Sequence, residues 1–394
     1  MKNILLITSL YPSNDVKFLN NTSVCHYFAR EWVKMGYNVH VIHSYRIYPW
    51  YYYPILKMAS KYLAKTQATA ILDKKLDNIY SYELDGVHVE RIPIKKSRPH
   101  GKFRMDDIKL HCKEINDFLM SENFVPDVIL GHFLTPSLYL VTELNKYYPK
   151  AQTAVSMHGK STDNGEYEEL FAKLDYMGYR SHSIRKSYEA KYGERPYLMC
   201  PSGVPNTYII NEPKSFSDGI KNFIYVGSFM DRKHPVTVVR ALAKTFGSKD
   251  YTITFVGEGA GKKDIIKAAK KCRSLERIRF TGHIPRVEVT KEMDMADVFI
   301  MVSENETFGL VYLEAMARGC IVIASKNEGM DGYIIDGVNG FLCNAGDSDN
   351  LSEIISKIKS MSVDSLNKIS SQSLHTAKRM TDYNVAKEYI QVFK

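Results

Sequence analysis

Two glutamates, Glu306 and Glu314, lie in the segment of this sequence that is richest in chemical information. Residues 298–325, VFIMVSENETFGLVYLEAMARGCIVIAS, have the pattern of a strand, a short acidic loop, a helix and a second strand. The helix is expected to open near Thr307 and to end at Gly319. One carboxylate would then lie just before the helix and the other two turns along it.

The start of that helix is suited to an anion. Thr307 is expected to cap it, which leaves backbone N–H groups at the positive end of the helix dipole to meet a diphosphate, from Phe308, Gly309 and Leu310. Carboxylates accept hydrogen bonds from paired hydroxyls, so one glutamate could hold a sugar and the other a ribose. The residues alone leave a second interpretation open, in which Glu306 is a solvated loop acid and Glu314 a surface acid of an ordinary helix.

A pair of cations follows another strand. The apolar run 223–226 ends in the turn GSFMDRKHP, where Arg232 and Lys233 come shortly after Gly227 and Ser228. Cations at this position would neutralise a departing diphosphate. The alternative is two solvated charges that open the next helix.

Two glycine loops also follow strands and are secondary candidates for the same site. The first contains Gly257 and Glu258, and the second contains His283 and Ile284. Glycine allows a backbone to approach a ligand closely, although ordinary turn chemistry explains such loops equally well.

Two further segments also contain candidate residues. The segment SMHGKSTD places His158 and Gly159 at the end of a strand, where a lone histidine is more often structural than functional. Asp347 and Asp349 have the spacing of a metal-binding pair, but two acids in a polar loop before a helix are more often a helix cap, so we expect no metal.

Short apolar runs alternate with helical patterns along the whole chain, which predicts parallel α/β sheets. At 394 residues, with 44% hydrophobic and 25% charged residues, the chain is expected to form two globular domains. We place them at 1–205 and 206–375, with a helix at 376–394 that packs back on the first. The expected strands are 4–7, 39–42, 87–92, 128–130, 154–157, 223–226, 252–256, 278–280, 298–302 and 321–324.

The string ETFGLVYLEAMARG, followed by a strand and by DGVNGFL, resembles the carboxyl-terminal half of family 4 retaining glycosyltransferases. The resemblance is strong from residue 223 to residue 342 and weak over residues 1–210. It implies the GT-B fold, in which two Rossmann-like domains with parallel sheets face each other across a cleft. The amino-terminal domain of that fold binds the acceptor and the carboxyl-terminal domain binds the donor.

The resemblance also implies roles for the candidates. Glu306 would contact the donor sugar, Glu314 the ribose, and the amides of residues 308–310 the sugar and diphosphate, while His158 would contact the donor sugar or the acceptor. Two positions depart from the family: Ser228 stands where relatives have an arginine, and Asn21, with Asn20 before it, stands where relatives have a glycine-rich loop on the acceptor side.

The implied activity is metal-independent transfer of a hexosyl or N-acetylhexosaminyl group, with retention, from a UDP- or GDP-sugar to a hydroxyl. We expect no cofactor. The acceptor would be a glycan, and a lipid-linked glycan of bacterial surface-polysaccharide synthesis is one hypothesis. Two alternatives remain: a non-catalytic module that binds a nucleotide sugar or a glycan, and another GT-B enzyme such as a sugar epimerase.

Charge is uneven along the chain. Residues 1–100 hold 14 Lys and Arg against 7 Asp and Glu, a balance of +7 out of the total of +9. Residues 46–65 combine aromatics with lysines, which suits an anionic membrane surface as well as a helix that packs on the domain core. No recognition motif favours nucleic acid. Cysteine spacing and the lack of a run of about 20 apolar residues favour a cytoplasmic protein, with peripheral attachment to the membrane left open.

Overall fold

The computed structural model describes residues 2–13, 23–58, 76–99, 101–247 and 249–393. The chain divides into two compact units. The first comprises Met1–Arg180, Ile184–Pro201 and Val385–Lys394, and the second comprises Ser181–Ser183 and Ser202–Asn384. The sequence predicts a first boundary at 205/206 and a final segment that begins at 376. In the structure the corresponding boundary lies at 201/202 and the final segment begins at Val385.

The first unit is built on an eight-stranded sheet in the order β3-β4-β2-β1-β5-β6-β7-β8. Neighbouring strands are parallel except for the antiparallel pair of β3 and β4 at one edge. Strand order reverses beside β1, because β2 lies on one side of it and β5 on the other. The strands are β1 (Asn3–Thr8), β2 (Asn38–Ile47), β3 (Tyr80–Leu84), β4 (Val87–Lys95), β5 (Val128–His132), β6 (Gln152–Met157), β7 (Tyr176–Tyr179) and β8 (Tyr197–Met199).

Six helices connect these strands in the described part of the unit. Their inner faces are apolar, so that Ile108, Cys112 and Ile115 of α3 and Leu138 and Val141 of α4 are fully buried or nearly so in one core with the sheet. The helices are α1 (Val24–Lys34), α2 (52–58), α3 (Met105–Ser121), α4 (Leu134–Leu144), α5 (Glu168–Phe171) and α6 (His182–Tyr192).

The second unit has a six-stranded, fully parallel sheet in the order β11-β10-β9-β12-β13-β14. This is a doubly wound sheet whose strand order reverses between β9 and β12, and ligands of such sheets bind beyond the carboxyl ends of the strands at that reversal. Its strands are β9 (Asn222–Val226), β10 (Thr252–Val256), β11 (Ile278–Gly282), β12 (Val298–Ile300), β13 (Ile321–Ser325) and β14 (Phe341–Cys343).

Helices cover this second sheet. Strands β12 and β13 are buried along their whole length, as expected of central parallel strands packed on both faces. The helices are α7 (Pro235–Phe246), α8 (Lys262–Lys271), α9 (Arg286–Met295), α10 (Leu310–Ala317), α11 (Ser348–Lys359) and α12 (Val363–Arg379).

The last helix, α13 (Asp382–Gln391), carries the chain back to the first unit. Tyr389 is fully buried there, with its ring centroid 5.1 Å from that of Phe28 and 5.3 Å from that of Trp32. The indole N–H of Trp32 donates to the carbonyl of Ala386 at 2.8 Å. The final residues therefore form part of the core of the amino-terminal unit.

Every apolar run predicted from the sequence contains a strand or is part of one, and the run 298–302 continues for two residues beyond β12. Four strands of the described residues were not predicted from the sequence: β3, β7, β8 and β14. Among the described residues, no helix has both the length and the apolarity needed to cross a bilayer.

Candidate active site

The candidate donor residues of the second unit gather where β9 and β12 end side by side, at the reversal of strand order. Gly227 directly follows β9, and the loop that contains Glu306 follows β12. Two segments that are some 75 residues apart in sequence thus meet at the ligand edge of one sheet.

Backbone contacts fasten the two segments together. The amide of Glu304 donates to the carbonyl of Arg232 at 2.7 Å, and Nη1 of Arg232 donates to the carbonyl of Glu304 at 3.3 Å. The same Nη1 lies 4.0 Å from Oε2 of Glu306, whose side chain is only 14% exposed. The structure therefore brings together two of the residues that the sequence analysis singled out.

Two residues that the sequence analysis did not name hold Glu306 in place. The Ser303 hydroxyl donates to Oε2 of Glu306 at 3.4 Å, and the amide of Glu306 donates to the carboxylate of Glu328 at 2.9 Å. Glu328 lies 22 residues further on, just after β13. No local pattern in the sequence could have paired it with Glu306.

Lys233 points its ammonium group toward the strand end. A Cβ atom built on Gly227 would lie 3.1 Å from its Nζ, so the glycine leaves room for the lysine. Burial lowers the pKa of Lys233, the neighbouring Arg232 lowers it further, and Glu306 opposes both effects. A cation held in such a partly desolvated position interacts strongly with an anion that replaces water.

The glycine loops form the adjoining wall. The Gly227 amide donates to Val256 and the Gly257 amide to Gly282, each at 2.9 Å. A Cβ on Gly257, where φ is +129°, would lie 2.2 Å from the Gly227 carbonyl oxygen, so only glycine fits there. The exposed residues on this rim are Ser228, Glu258 and His283, with Ile284 half-buried beside them.

Helix α10 begins later than the sequence analysis expected. Its first residue is Leu310, and its N-cap is Gly309, in a left-handed conformation with φ +82°; no side chain caps it. The expectation that Thr307 caps the helix is wrong. The Phe308 ring is buried edge-on against Tyr333, so this residue contributes to packing. Helix α10 ends at Ala317, and Gly319 follows with φ +70°, as expected for a helix end.

Glu314 is buried in an ion pair that the sequence analysis missed. Its side chain is 9% exposed, and Oε1 accepts hydrogen bonds from Nε of Arg286 at 2.7 Å and from Nη2 of the same guanidinium. The guanidinium also lies 5.0 Å from the centre of the Tyr208 ring. Burial raises the pKa of Glu314, and Arg286 opposes this effect. The contact of Glu314 with a ribose remains a prediction.

Within the first unit, His158 follows β6 and is paired with a second histidine. Its Nε2 lies 2.9 Å from Nδ1 of His132, and its ring stacks on Phe133 at 3.9 Å between centroids. Burial lowers the pKa of His158 well below its ordinary value, with Arg180 and His132 adding to the effect. Burial likewise lowers the pKa of His132 to about 3. Both rings are therefore neutral at physiological pH.

A cavity of about 360 Å³ opens beside His158 and the exposed Gly159. Phe133, Asp163 and Glu166 also line it. Phe133 holds φ at +67°, which is uncommon for a residue with a side chain and marks a strained backbone at this position. An aromatic face beside carboxylates is a combination that can hold a sugar through its apolar face and its hydroxyls.

Two other predictions from the sequence concern Asn21 and the acidic pair at 347 and 349. Asn21, named for the acceptor side, lies outside the described residues together with Asn20. Asp347 is the N-cap of α11, where its carboxylate accepts hydrogen bonds from the amides of Asp349 and Asn350, each at 3.0 Å.

The chemical capacity of the second unit's site follows from these contacts. It places one carboxylate and two cations at the carboxyl edge of a doubly wound sheet, beside glycines that admit a ligand close to the backbone. Cations next to a hydrogen-bonding carboxylate suit a molecule that carries both phosphates and hydroxyls.

Two α/β units with parallel sheets, each reversing its strand order at the centre, define a protein of the GT-B fold. A glycosyltransferase from Rickettsia africae has this fold, superposes with a TM-score of 0.71 at 14% identity, and is matched over 100% of this chain and 98% of its own. Residues 209–375 match the family described as glycosyl transferases group 1.

Two relatives match parts of the sequence. The N-acetyl-alpha-D-glucosaminyl L-malate synthase of Bacillus anthracis is 32% identical over 137 residues, which are 35% of each chain. The lipopolysaccharide core biosynthesis glycosyltransferase LpsE of Rhizobium meliloti is 29% identical over 133 residues, 34% of this chain and 38% of LpsE. The chain thus spans just over a third of the length of these two relatives.

Proposed function

We propose that this protein transfers a sugar from a nucleoside diphosphate sugar to a hydroxyl group, with retention of anomeric configuration and without a metal ion. The observation that carries the proposal is the convergence of Glu306, Arg232 and Lys233 beside Gly227, at the reversal point of the second sheet. The match of residues 209–375 to the glycosyl transferases group 1 family supports the same reaction class.

The proposed chemistry assigns a separate task to each charged group. The bond between the anomeric carbon and the diphosphate oxygen breaks, and a bond from that carbon to the acceptor oxygen forms. Arg232 and Lys233 stabilise the negative charge that grows on the diphosphate. The acceptor proton passes to a departing phosphate oxygen. Glu306 positions the sugar hydroxyls and is not the nucleophile.

The cations also support the metal-free form of the reaction. They can supply the positive charge that a divalent ion supplies in other transferases. The acidic pair at 347 and 349 serves a different purpose, since the carboxylate of Asp347 is used in capping α11.

The cavity beside His158 is the proposed acceptor site. Burial keeps His158 neutral, and a neutral imidazole can accept a hydrogen bond from a hydroxyl or donate one to it. The similarity to a lipopolysaccharide core enzyme supports a glycan acceptor, such as a lipid-linked glycan of surface-polysaccharide synthesis.

Helix α2 supports peripheral attachment to the cytoplasmic face of a membrane. Trp50, Tyr51, Ile55 and Met58 are 52–79% exposed, whereas Tyr53 is buried. Exposed aromatic and aliphatic side chains beside Lys57 suit an anionic bilayer surface. Residues 59–65 of the segment named in the sequence analysis lie outside the described residues.

The first experiment identifies the donor. A panel of UDP- and GDP-linked hexoses and N-acetylhexosamines is screened by thermal shift, because a ligand that binds only the folded state raises the unfolding temperature. Transfer is then assayed with the stabilising donor and candidate glycans, with and without EDTA. Loss of activity on chelation, restored by metal, would refute the metal-free proposal.

Matched variants then test the residue assignments. Glu306→Ala and Lys233→Ala are expected to reduce kcat by about a hundredfold or more, since each removes a preorganised polar contact to the reacting group. The controls are Glu276→Ala and Lys244→Ala, which alter exposed residues of the same unit. Wild-type turnover in the Glu306 or Lys233 variant would sink the assignment.

Two other outcomes identify the alternative functions. Donor binding without transfer to any acceptor, together with slow hydrolysis at most, would indicate a binding module. Conversion of the donor alone to a stereoisomer would indicate an epimerase. Flotation with anionic liposomes at low salt tests the membrane contact, and no binding there would exclude it.

A further inference from the structure

Two cations lie together at the carboxyl edge of the first unit's sheet, away from the groups discussed so far. Arg46 is the next-to-last residue of β2, and Lys96 directly follows β4. The register pairs Arg46 with Ile94, and Lys96 is two residues beyond Ile94. Since side chains alternate along a strand, Arg46 and Lys96 lie on the same face. The Lys96 amide continues the ladder by donating to the carbonyl of Ile47 at 2.9 Å.

Lys96 is unusually buried for a lysine. It is 8% exposed, its Nζ donates to the Pro99 carbonyl at 2.9 Å, and the same atom lies 4.9 Å from the centre of the Phe103 ring. Arg46 is half-buried, and its Nη2 donates to the Ser9 hydroxyl at 3.3 Å, just beyond the end of β1. The two cations thus contact neutral acceptors.

The charge of this pair is not balanced locally. Within the described ranges no carboxylate is paired with either side chain, and the charged group that acts on Lys96 is Arg46. Residues 95–104, KKSRPHGKFR, contain five lysines and arginines and no acid. Burial and the neighbouring guanidinium both lower the pKa of Lys96.

Such an arrangement is costly for folding alone. A buried ammonium group requires compensation, and a second cation nearby adds repulsion. The hydrogen bond to Pro99 needs only a neutral donor, so the positive charge is not required for it. A buried cation whose partners in the described part of the chain are all neutral, at the edge where α/β sheets bind ligands, is typical of a site whose compensation comes from an anion.

We propose that Arg46 and Lys96 bind a phosphoryl group of the acceptor, an inference that rests on the proposed function. A planar guanidinium can grip two phosphate oxygens while the ammonium group supplies a compact charge. In sheet order, β2 lies three strands from β6, so this group would bind about 14 Å from His158. The acceptor would therefore be extended, with its phosphate well separated from the reacting hydroxyl.

The location agrees with a phosphorylated lipid anchor. The exposed Trp50 and helix α2, which carries the exposed Met58, follow β2 within a few residues. A phosphate at Arg46 would place an attached lipid beside this apolar surface.

The test compares two neighbouring lysines in the full-length chain. Lys96→Met and Arg46→Gln remove the proposed contacts, and Lys95→Met removes the same charge from the adjacent, exposed residue. Inorganic pyrophosphate is titrated calorimetrically in the presence of a saturating nucleoside diphosphate, which occupies the donor site. We expect Kd to rise about tenfold or more in the first two variants, since a hydrogen bond to a charged group contributes that much, and to change little in Lys95→Met.

The outcomes separate the possibilities. The proposal is overturned if pyrophosphate binding is weakened equally in all three variants or is weakened in none of them. It is also overturned if malonate binds to wild type as tightly as pyrophosphate does. If Lys96→Met does not fold, the half-buried Arg46→Gln gives the same comparison. Vesicles of phosphatidylcholine with and without phosphatidic acid form a second arm: stronger retention of phosphatidic acid vesicles by wild type than by the two variants identifies a lipid phosphate as the source.

The proposed function is tested separately in the same samples. Donor binding is followed by thermal shift and is expected to be unchanged in all three variants, because the donor residues are untouched. Failure of wild type to bind any nucleotide sugar would refute the proposed function, whereas the pyrophosphate comparison addresses Arg46 and Lys96 alone.

Discussion

Replacement of Arg286 by methionine should expose the cost of the buried carboxylate at Glu314. Glu314 lies in the middle of α10 with a side chain that is 9% exposed, and Arg286 donates two hydrogen bonds to its Oε1. Methionine keeps most of the apolar stem that packs near Tyr208 but supplies no donor. The carboxylate would then be buried without a counter-charge.

The expected loss of unfolding free energy follows from the exposure of the two side chains in the pair. Breaking a fully buried ion pair costs about 3–5 kcal/mol, whereas exposed pairs contribute about 0–1 kcal/mol. Arg286 is 36% exposed, so water reaches one side of the pair and the intermediate value of about 2 kcal/mol is expected. In a unit of this size that loss lowers the unfolding temperature by about 4–8 °C.

The loss should depend on pH with a definite sign. Burial raises the pKa of Glu314 in the folded state, and removal of Arg286 takes away the effect that opposes it. Between the unfolded pKa and the raised folded pKa, the folded state holds more protons, so stability falls as pH rises. The difference between wild type and Arg286→Met should therefore be small near pH 4.5 and reach its full size above the raised folded pKa.

Thermal unfolding followed by circular dichroism over this pH range measures the effect. Arg279→Met is the matched control, because Arg279 pairs with Glu292 but is 53% exposed, and it should cost less than about 1 kcal/mol. Adding Glu314→Gln to Arg286→Met should restore part of the lost stability. A loss that is independent of pH, or no loss at all, would refute this account of the pair.

Two further predictions concern single positions. Gly309→Ala should lower the free energy of unfolding by about 1–3 kcal/mol more than Gly337→Ala, as measured by thermal unfolding. Both glycines have positive φ, but only at Gly309 would the new Cβ lie 2.5 Å from the Tyr312 ring. Equal losses in the two variants would contradict this prediction. His132→Asn should flatten the loss of stability between pH 6.5 and pH 4, because the unfolded chain takes up a proton there that the buried ring, with its pKa lowered to about 3, does not. The expected difference at pH 4.5 is about 2 kcal/mol, and a slope equal to that of wild type would contradict it.

Much of the fold follows from local sequence patterns. The apolar runs of the central strands are continuous because parallel strands are buried on both faces, so β1, β5, β9 and β13 could be found from the sequence. Strand β3 was missed because it is a mostly exposed edge strand of polar residues. The turn after it, Asp85-Gly86, with φ of +51° and +77°, is a recognised hairpin signal that could have revealed it.

The site was predictable only where its residues follow a strand that the sequence reveals. Arg232, Lys233 and Glu306 could be named because each follows a strand. Arg286 and Glu328 could not be assigned, since their contacts cross 28 and 22 residues and depend on how strands are ordered in the sheet. The predicted start of α10 was wrong because threonine is a frequent N-cap residue. The actual N-cap is Gly309, whose left-handed conformation could not be inferred from residue preferences at helix starts.

The return of α13 to the first unit has a consequence for the synthesis of the chain. Tyr389, whose hydroxyl lies 3.2 Å from His132 Nε2 and 3.0 Å from the Ser156 hydroxyl, is synthesised after the whole of the second unit. Domains generally fold in order of emergence, but this unit lacks part of its core until the second unit has been synthesised. The first unit therefore cannot complete its core while the second unit is being synthesised. A fragment that stops at residue 201 would carry an open apolar groove at the position that Tyr389 fills.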